Sequence, residues 1–215
     1  MIKTLILDFD GTIADTRNSI IQTVQMTMKE LGFFDADESV IENLIGLPLK
    51  ETFINILPEF DEVILKKAIG LYREKYNEIC LNTVQLYPNV KETLKLLYDN
   101  GTIIAIASSK GKEALSVLLR KMDIYRYIFM VLGEQDVNNK KPAPDMVLRI
   151  LEETKSIPQE ALVIGDTIYD IEMGQRAECA TCAVTYGNHS ENRLRKQGAN
   201  YIINDFIEVI PIIKN

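Results

Sequence analysis

Two aspartates one residue apart, Asp8 and Asp10, close the apolar run Thr4-Leu5-Ile6-Leu7 and are followed by Gly11-Thr12. On an extended chain, side chains two positions apart point the same way. The pair is therefore expected to present two carboxylates together, with Gly11 allowing the sharp exit that exposes them. At about 4 Å and an effective dielectric of 20, two such charges repel by roughly 4 kcal/mol, which a bound cation offsets. Far along the chain, Ala161–Ile164 ends in Gly165-Asp166-Thr167-Ile168-Tyr169-Asp170, again an apolar run, a glycine and a pair of acids. If the two ends are neighbours, three or more carboxylates converge. Oxygen ligands without His or Cys suit Mg²⁺ better than zinc or copper.

Two further apolar runs end in donors. Ile103–Ala107 stops at Ser108-Ser109-Lys110-Gly111, where hydroxyls and free amides at a helix start make an anion cradle. Beyond the third run lies Lys140-Lys141-Pro142-Ala143-Pro144-Asp145. Pro142 interrupts regular structure there and is expected to hold Lys141 inward as a fixed charge.

The elements that must position these residues read as strands alternating with helices. Thr4–Leu7, Ile103–Ala107, Ile128–Leu132, Ala161–Ile164 and Thr181–Val184 have the unbroken apolar character of buried parallel strands, and Tyr201–Ile203 is a short sixth. Helical spacing lies between them, as in Val90–Tyr98 with Leu94, Leu96 and Leu97, and in Lys112–Lys121 with Leu115, Leu118 and Leu119. The pattern predicts an α/β fold, a Rossmann-like doubly wound parallel sheet with ligands at the carboxyl ends of its strands.

One interval breaks the alternation. From Thr16 to Asn82, roughly 67 residues, the spacing is helical throughout. Ile20, Ile21, Val24, Met28 and Leu31 form one stripe, with Gly32 as its stop; Ile64, Leu65, Ala68, Ile69, Tyr72 and Tyr76 form another. A connection of this length is a unit in itself. The expected organisation is a core of residues 1–15 and 83–215 and an inserted all-helical cap of residues 16–82, able to close over the aspartates.

Composition bounds the partners. The 31 acidic and 24 basic residues give a net charge of −7 with no long basic tract, which argues against nucleic acid and anionic membranes. No apolar stretch approaches the roughly 18 residues of a membrane helix, and the N-terminus lacks a signal-peptide pattern, so a cytoplasmic protein, monomeric or a weak homodimer, is expected. Cys80, Cys179 and Cys182 suit a reducing compartment. Cys179-Ala-Thr-Cys182 is formally a C-x-x-C, but His189 is the single histidine, and small apolar filling is the expected role of both thiols.

Taken in order, Asp8-Phe9-Asp10-Gly11-Thr12, Ser108, Lys141-Pro142 and Gly165-Asp166 with Asp170 resemble the four motifs of the haloacid dehalogenase superfamily, over nearly the whole chain. The position of the insert matches the branch with a helical C1 cap, and Ala183-Val184-Thr185-Tyr186-Gly187 is similar to the phosphoglycolate phosphatase and inorganic pyrophosphatase-like members. The resemblance implies a Mg²⁺-dependent phosphatase acting on a small-molecule phosphate ester. Asp8 would be the nucleophile, forming an aspartyl-phosphate, and Asp10 the general acid and base. The metal would be held by Asp8, the Asp10 backbone carbonyl and Asp166, supported by Asp170. Ser108, the Ser109 amide and Lys141 would hold the phosphoryl oxygens.

Alternatives stay open at this point. Ser108-Ser109 departs from the Thr-Asn of the phosphoglycolate group towards the sugar-phosphate mutases, yet the cap arginine of a β-phosphoglucomutase is missing and Gly46-Leu47-Pro48-Leu49-Lys50 stands in its place. Lys50 is either a substrate contact or an exposed helix residue. A pyrophosphatase or a β-phosphoglucomutase-type phosphotransferase belongs to the same superfamily; a dehalogenase would lack an acid at Asp10. A receiver-like phospho-aspartate signalling protein uses similar residues, but would carry its acceptor on a middle strand, which here ends Leu132-Gly133-Glu134.

Overall fold

The computed structural model describes residues 1–33, 36–56 and 61–214. The chain enters through β1 (Thr4–Leu7), every residue of which is buried, and a tight turn leads to β2 (Ala14–Asp15). Four helices follow: α1 (Arg17–Glu30), α2 (Glu38–Leu44), α3 (Leu49–Ile56) and α4 (Glu62–Thr83). Then come β3 (Gln85–Leu86), α5 (Val90–Asp99), β4 (Ile103–Ala107), α6 (Lys112–Lys121) and β5 (Met130–Leu132). The last third holds α7 (Asp145–Thr154), β6 (Ala161–Gly165), α8 (Ile168–Arg176), β7 (Ala180–Val184), α9 (Glu191–Gln197), β8 (Tyr201–Ile203) and α10 (Val209–Lys214).

Six strands form one parallel sheet in the order β5-β4-β1-β6-β7-β8, the Rossmann-like doubly wound arrangement the alternation predicts. Successive side chains of β1 serve opposite faces. Leu5 and Leu7 join the cluster that includes Leu94 and Leu97 of α5 and Leu115 and Leu118 of α6, whereas Ile6 joins Met146, Val147 and Ile150 of α7. Each fully buried aliphatic side chain of this kind contributes about 1.5–3 kcal/mol. β1 pairs with both β4 and β6, so the strand order reverses there, and its carboxyl end opens into the crevice where such sheets bind ligands.

The third strand is shorter than its sequence suggests. A 3₁₀ turn at Tyr125–Tyr127 leaves Ile128 in the approach, and pairing with β4 begins at Met130.

Among the described residues of the interval from Thr16 to Asn82 there is no strand; residues 34–35 and 57–60 of that interval lie outside the described residues. α1 packs along α4, burying Ile20, Ile21, Val24 and Met28 against Leu65, Ala68, Tyr72 and Tyr76. Leu31 caps α1 and is only partly buried, and Gly32 follows with φ 81°, a left-handed stop that lacks a Cβ penalty. On either side of α1–α4, β2 and β3 pair antiparallel, Ala14 with Leu86 and Asp15 with Gln85. Two-residue strands have too few positions to show a period, so this ladder straddling the expected boundaries was not legible in the sequence. No helix among the described residues is long and apolar enough to cross a membrane.

Candidate active site

At the carboxyl ends of β1 and β6, carboxylate oxygens of Asp8, Asp166 and Asp170 lie within 4.8 Å of one another, and all three residues are buried. The Lys141 ammonium, 2% exposed, donates to Asp8 Oδ1 at 2.6 Å and to Asp170 Oδ1 at 2.6 Å. Lys141 therefore does point inward, as the proline after it suggests.

Three acids against one base is an unbalanced cluster. Burial first, then Asp170, Asp166 and Asp10, push the Asp8 carboxyl up to about 8, with Lys141 pulling the other way. Burial and Asp170 push Asp166 up to about 7, although Asn188 and Thr12 favour its ionised form. Burial tends to lower Lys141, but Asp170 and Asp8 outweigh it and hold the ammonium above its usual range. With all three acids ionised the cluster would carry more negative charge than Lys141 offsets, and its donors are oxygen only, which is the chemistry of a site for a hard divalent cation.

Each acid is fixed from behind. Thr12 Oγ1 donates to Asp166 Oδ1 at 3.0 Å, and the Asn188 amide and side chain both donate to Asp166 Oδ2 at 2.7 Å. Thr167 caps α8 and donates to Asp170 Oδ2 through its amide at 3.0 Å and its hydroxyl at 2.7 Å, which leaves Asp170 Oδ1 for Lys141. Gly11, at φ 81°, passes so close that a Cβ would overlap Asn188 Nδ2 and Asp166 Oδ2. His189, pushed down to about 4 by burial and then by Arg193, accepts the Ile168 amide through Nδ1 at 3.1 Å. The neutral imidazole thus serves the start of α8.

Asp10 differs from the sequence expectation. Its carboxylate lies outside the three-acid cluster, because the extended strand stops at Leu7 and the amides of Ile13 and Ala14 curl back onto the Phe9 carbonyl. Asp8 and Asp10 still line the same cavity. Asp10 Oδ2 instead meets Lys110 Nζ at 3.2 Å, and buried Asp10 Oδ1 has no hydrogen-bond partner among the described residues. Lys110 sits 4.0 Å from the centre of the Tyr76 ring, joining the core loop to α4. Burial works against its charge, but Asp10 and Tyr72 more than offset this and raise it.

Ser108, 1% exposed, accepts the Lys110 amide at 3.3 Å, and Ser109 Oγ donates to the Gly46 carbonyl of the insert at 2.8 Å. Both line a cavity of about 360 Å³ that runs from Asp8 and Asp10 to the insert. Lys50 does not reach it; its side chain is exposed and pairs with Glu62 at 3.3 Å.

Sequence reasoning missed Lys110 and Asn188 as site residues. Lys110 stood in view beside Ser108-Ser109, whereas Asn188 carries no local signal and is recognisable only once β7 has brought its loop to Asp166. The two thiols of Cys179 and Cys182 are buried and free, pushed up by burial to about 11 and about 12, in keeping with filling rather than chemistry.

With this geometry in hand, a model of the family described as haloacid dehalogenase-like hydrolase matches residues 5–184. The chain belongs to that family. The haloacid dehalogenase-like chain is 30% identical, over 99% of its length and 97% of the relative, to the pyrophosphatase PpaX of Oceanobacillus iheyensis. It is also 30% identical to a phosphoglycolate phosphatase of Vibrio vulnificus (strain YJ016), covering 88% of this chain and 87% of that one. Among solved structures, a predicted phosphoglycolate phosphatase from Haemophilus somnus 129pt superposes with a TM-score of 0.92 at 25% identity, over 98% of this chain and 97% of that chain. Membership in a hydrolase family sets the receiver-like alternative aside.

Proposed function

We propose that this haloacid dehalogenase-like phosphatase hydrolyses a small soluble phosphate monoester, using Mg²⁺ and an aspartyl-phosphate on Asp8. The observation that supports the reading is the buried, oxygen-only cluster of Asp8, Asp166 and Asp170, in which Lys141 is the one cation paired with an acid of the cluster among the described residues. Asp8, the Asp10 backbone carbonyl and Asp166 would hold the metal. When bound, Mg²⁺ would neutralise charge between the Asp8 carboxylate and the phosphoryl oxygens.

Lys141 engages Asp8 Oδ1, which leaves Oδ2 to attack phosphorus. The ester oxygen leaves as that bond forms and takes a proton from Asp10, whose unpartnered Oδ1 supports this assignment. Water, deprotonated by the same carboxylate, then attacks the phosphorus and frees Asp8. Lys141, Ser108 and the Ser109 amide would hold the transferring oxygens, where positioning and charge neutralisation dominate. The helices between β2 and β3 would act as a cap that excludes water. The net charge of −7 supports a small-molecule partner, bound by local donors, over nucleic acid or an anionic membrane.

The test is a panel of phosphate esters assayed with Mg²⁺, with EDTA, and with Asp8→Asn in place of the native protein. Expected are turnover that chelation abolishes and Mg²⁺ restores, and a loss on the order of 10⁴-fold or more in the variant. Full activity after exhaustive chelation, or retained activity in Asp8→Asn, would overturn the assignment.

A further inference from the structure

The cavity above the carboxylates has an uneven lining. Away from Asp8 and Asp10 much of its wall is carbon, from Ile20, Val24, Leu44, Leu49, Tyr72 and Tyr76, interrupted by the uncharged polar side chains of Thr52, Asn77 and Gln135. Its charged lining is acidic, with Asp8, Asp10, Glu113 and Glu134 against Lys110 and Arg73.

Neither cation is free. Lys110 is committed to Asp10 at 3.2 Å and to the Tyr76 ring, and Arg73 to Glu134 at 3.0 Å. Glu134, whose side chain is 8% exposed, also holds Lys140 at 3.2 Å. Glu113 bonds to Gln135 and meets no cation among the described residues. A second anionic group entering behind the phosphoryl would therefore have to compete with Asp10 and Glu134 for the lining cations, with Glu113 unpaired nearby, and an uncompensated charge in such a place is strongly disfavoured. Tyr76, one of the lining residues, carries a buried hydroxyl that bonds to nothing among the described residues, a group that a neutral polar atom could satisfy.

We propose that the leaving group taken by this site is an uncharged, largely apolar alcohol, so that its substrates are alkyl or aryl phosphate monoesters rather than phosphorylated acids or diphosphates. The proposal rests on the hydrolytic reading above and narrows it. A cavity of about 360 Å³ is at the lower end of the usual range for small-ligand sites, and carbon walls with a few placed polar groups are the common form of such sites.

The experiment compares hexyl phosphate, butyl phosphate, ethyl phosphate, 2-phosphoglycolate and inorganic pyrophosphate, each with Mg²⁺. The three alkyl esters and 2-phosphoglycolate share a primary alkyl leaving oxygen, so differences among them report recognition. Expected is a kcat/KM that climbs about three- to fourfold per added methylene until the cavity is filled, with hexyl phosphate at least about tenfold above 2-phosphoglycolate and pyrophosphate. Glu134→Gln frees Arg73 and Lys140, and should raise the ratio of 2-phosphoglycolate to hexyl phosphate turnover about tenfold. A native preference for 2-phosphoglycolate or pyrophosphate, a flat alkyl series, or an unchanged ratio in Glu134→Gln would overturn this inference while leaving the phosphatase reading intact. Phosphate release from none of the five would overturn both.

Discussion

On the core side of the cavity, Lys141 makes two bonds of 2.6 Å, and both carboxylate oxygens of Asp166 and of Asp170 accept hydrogen bonds. On the insert side, Ile20, Val24 and Leu49 offer carbon, and the buried Tyr76 hydroxyl bonds to nothing among the described residues. The core side is over-determined: each acid has at least one oxygen held by a protein donor, Asp8 by Lys141, Asp166 by Thr12 and Asn188, and Asp170 by Lys141 and Thr167. Such a surface suits one task with fixed geometry, the handling of a phosphoryl group. The insert side makes few directional bonds, so its residues govern how much leaving-group surface is covered. Substitutions on the core side should cost kcat, and those on the insert side should move KM and preference.

The largest effect after loss of Asp8 is expected from Lys141→Ala. It would remove the donor proposed for the phosphoryl and leave three buried acids facing one another. A fall in kcat of about 10²–10³-fold should accompany a loss of about 3–5 kcal/mol in denaturant unfolding. A variant that lost activity with unchanged stability would show that Lys141 is not neutralising the cluster.

The next effect needs no substitution. In metal-free protein Asp8 and Asp166 keep their protons up to about 8 and about 7, whereas carboxylates of the unfolded chain lose theirs near 4. From pH 7 to 8.5 the folded state gives up protons that the unfolded state has already lost, so stability falls as pH rises. His189, held down to about 4, titrates below this window when folded, and its unfolded form near 6.5 is largely neutral above pH 7. The melting temperature should drop by about 2–4 °C across the window, and saturating Mg²⁺ should remove the drop. A melting temperature insensitive to Mg²⁺ would sever the carboxylates from metal binding.

Smaller effects belong to the insert. Leu49→Ala takes carbon from the cavity wall and should raise KM for the preferred ester about tenfold with kcat little changed. The neighbouring Lys50→Ala, which breaks only an exposed pair with Glu62, should leave kcat/KM within about twofold. If Lys50 proved the more costly of the two, the cavity would have been assigned to the wrong face of α3.

The same division governed what could be read from the sequence. Asp8, Ser108 and Asp166 each sit at or just past the end of an apolar run and Lys141 lies in the loop beyond another, and a parallel sheet brings run ends together, so the core side was legible in outline. Its wiring was less so. Asp10 lines the same cavity as Asp8, but its carboxylate lies outside the three-acid cluster and meets Lys110, while Asp170 completes the cluster, held by the Thr167 cap.

The insert was legible as helices and opaque as a surface. Ile20, Ile21, Val24 and Met28 form one stripe by spacing, yet Ile20 and Val24 line the cavity and Ile21 and Met28 do not. Periodicity distinguishes apolar faces from polar ones; it does not distinguish an apolar face against protein from one against a cavity.

The central claim is that Asp8 carries the phosphoryl group. Acid quenching during turnover of the best ester with Mg²⁺, borohydride reduction of any acyl phosphate, and peptide mass spectrometry would locate the acceptor. Reduction confined to residue 8, and absent without substrate, is the predicted result. Steady phosphate release with no modified residue, or with modification at another carboxylate, would contradict it.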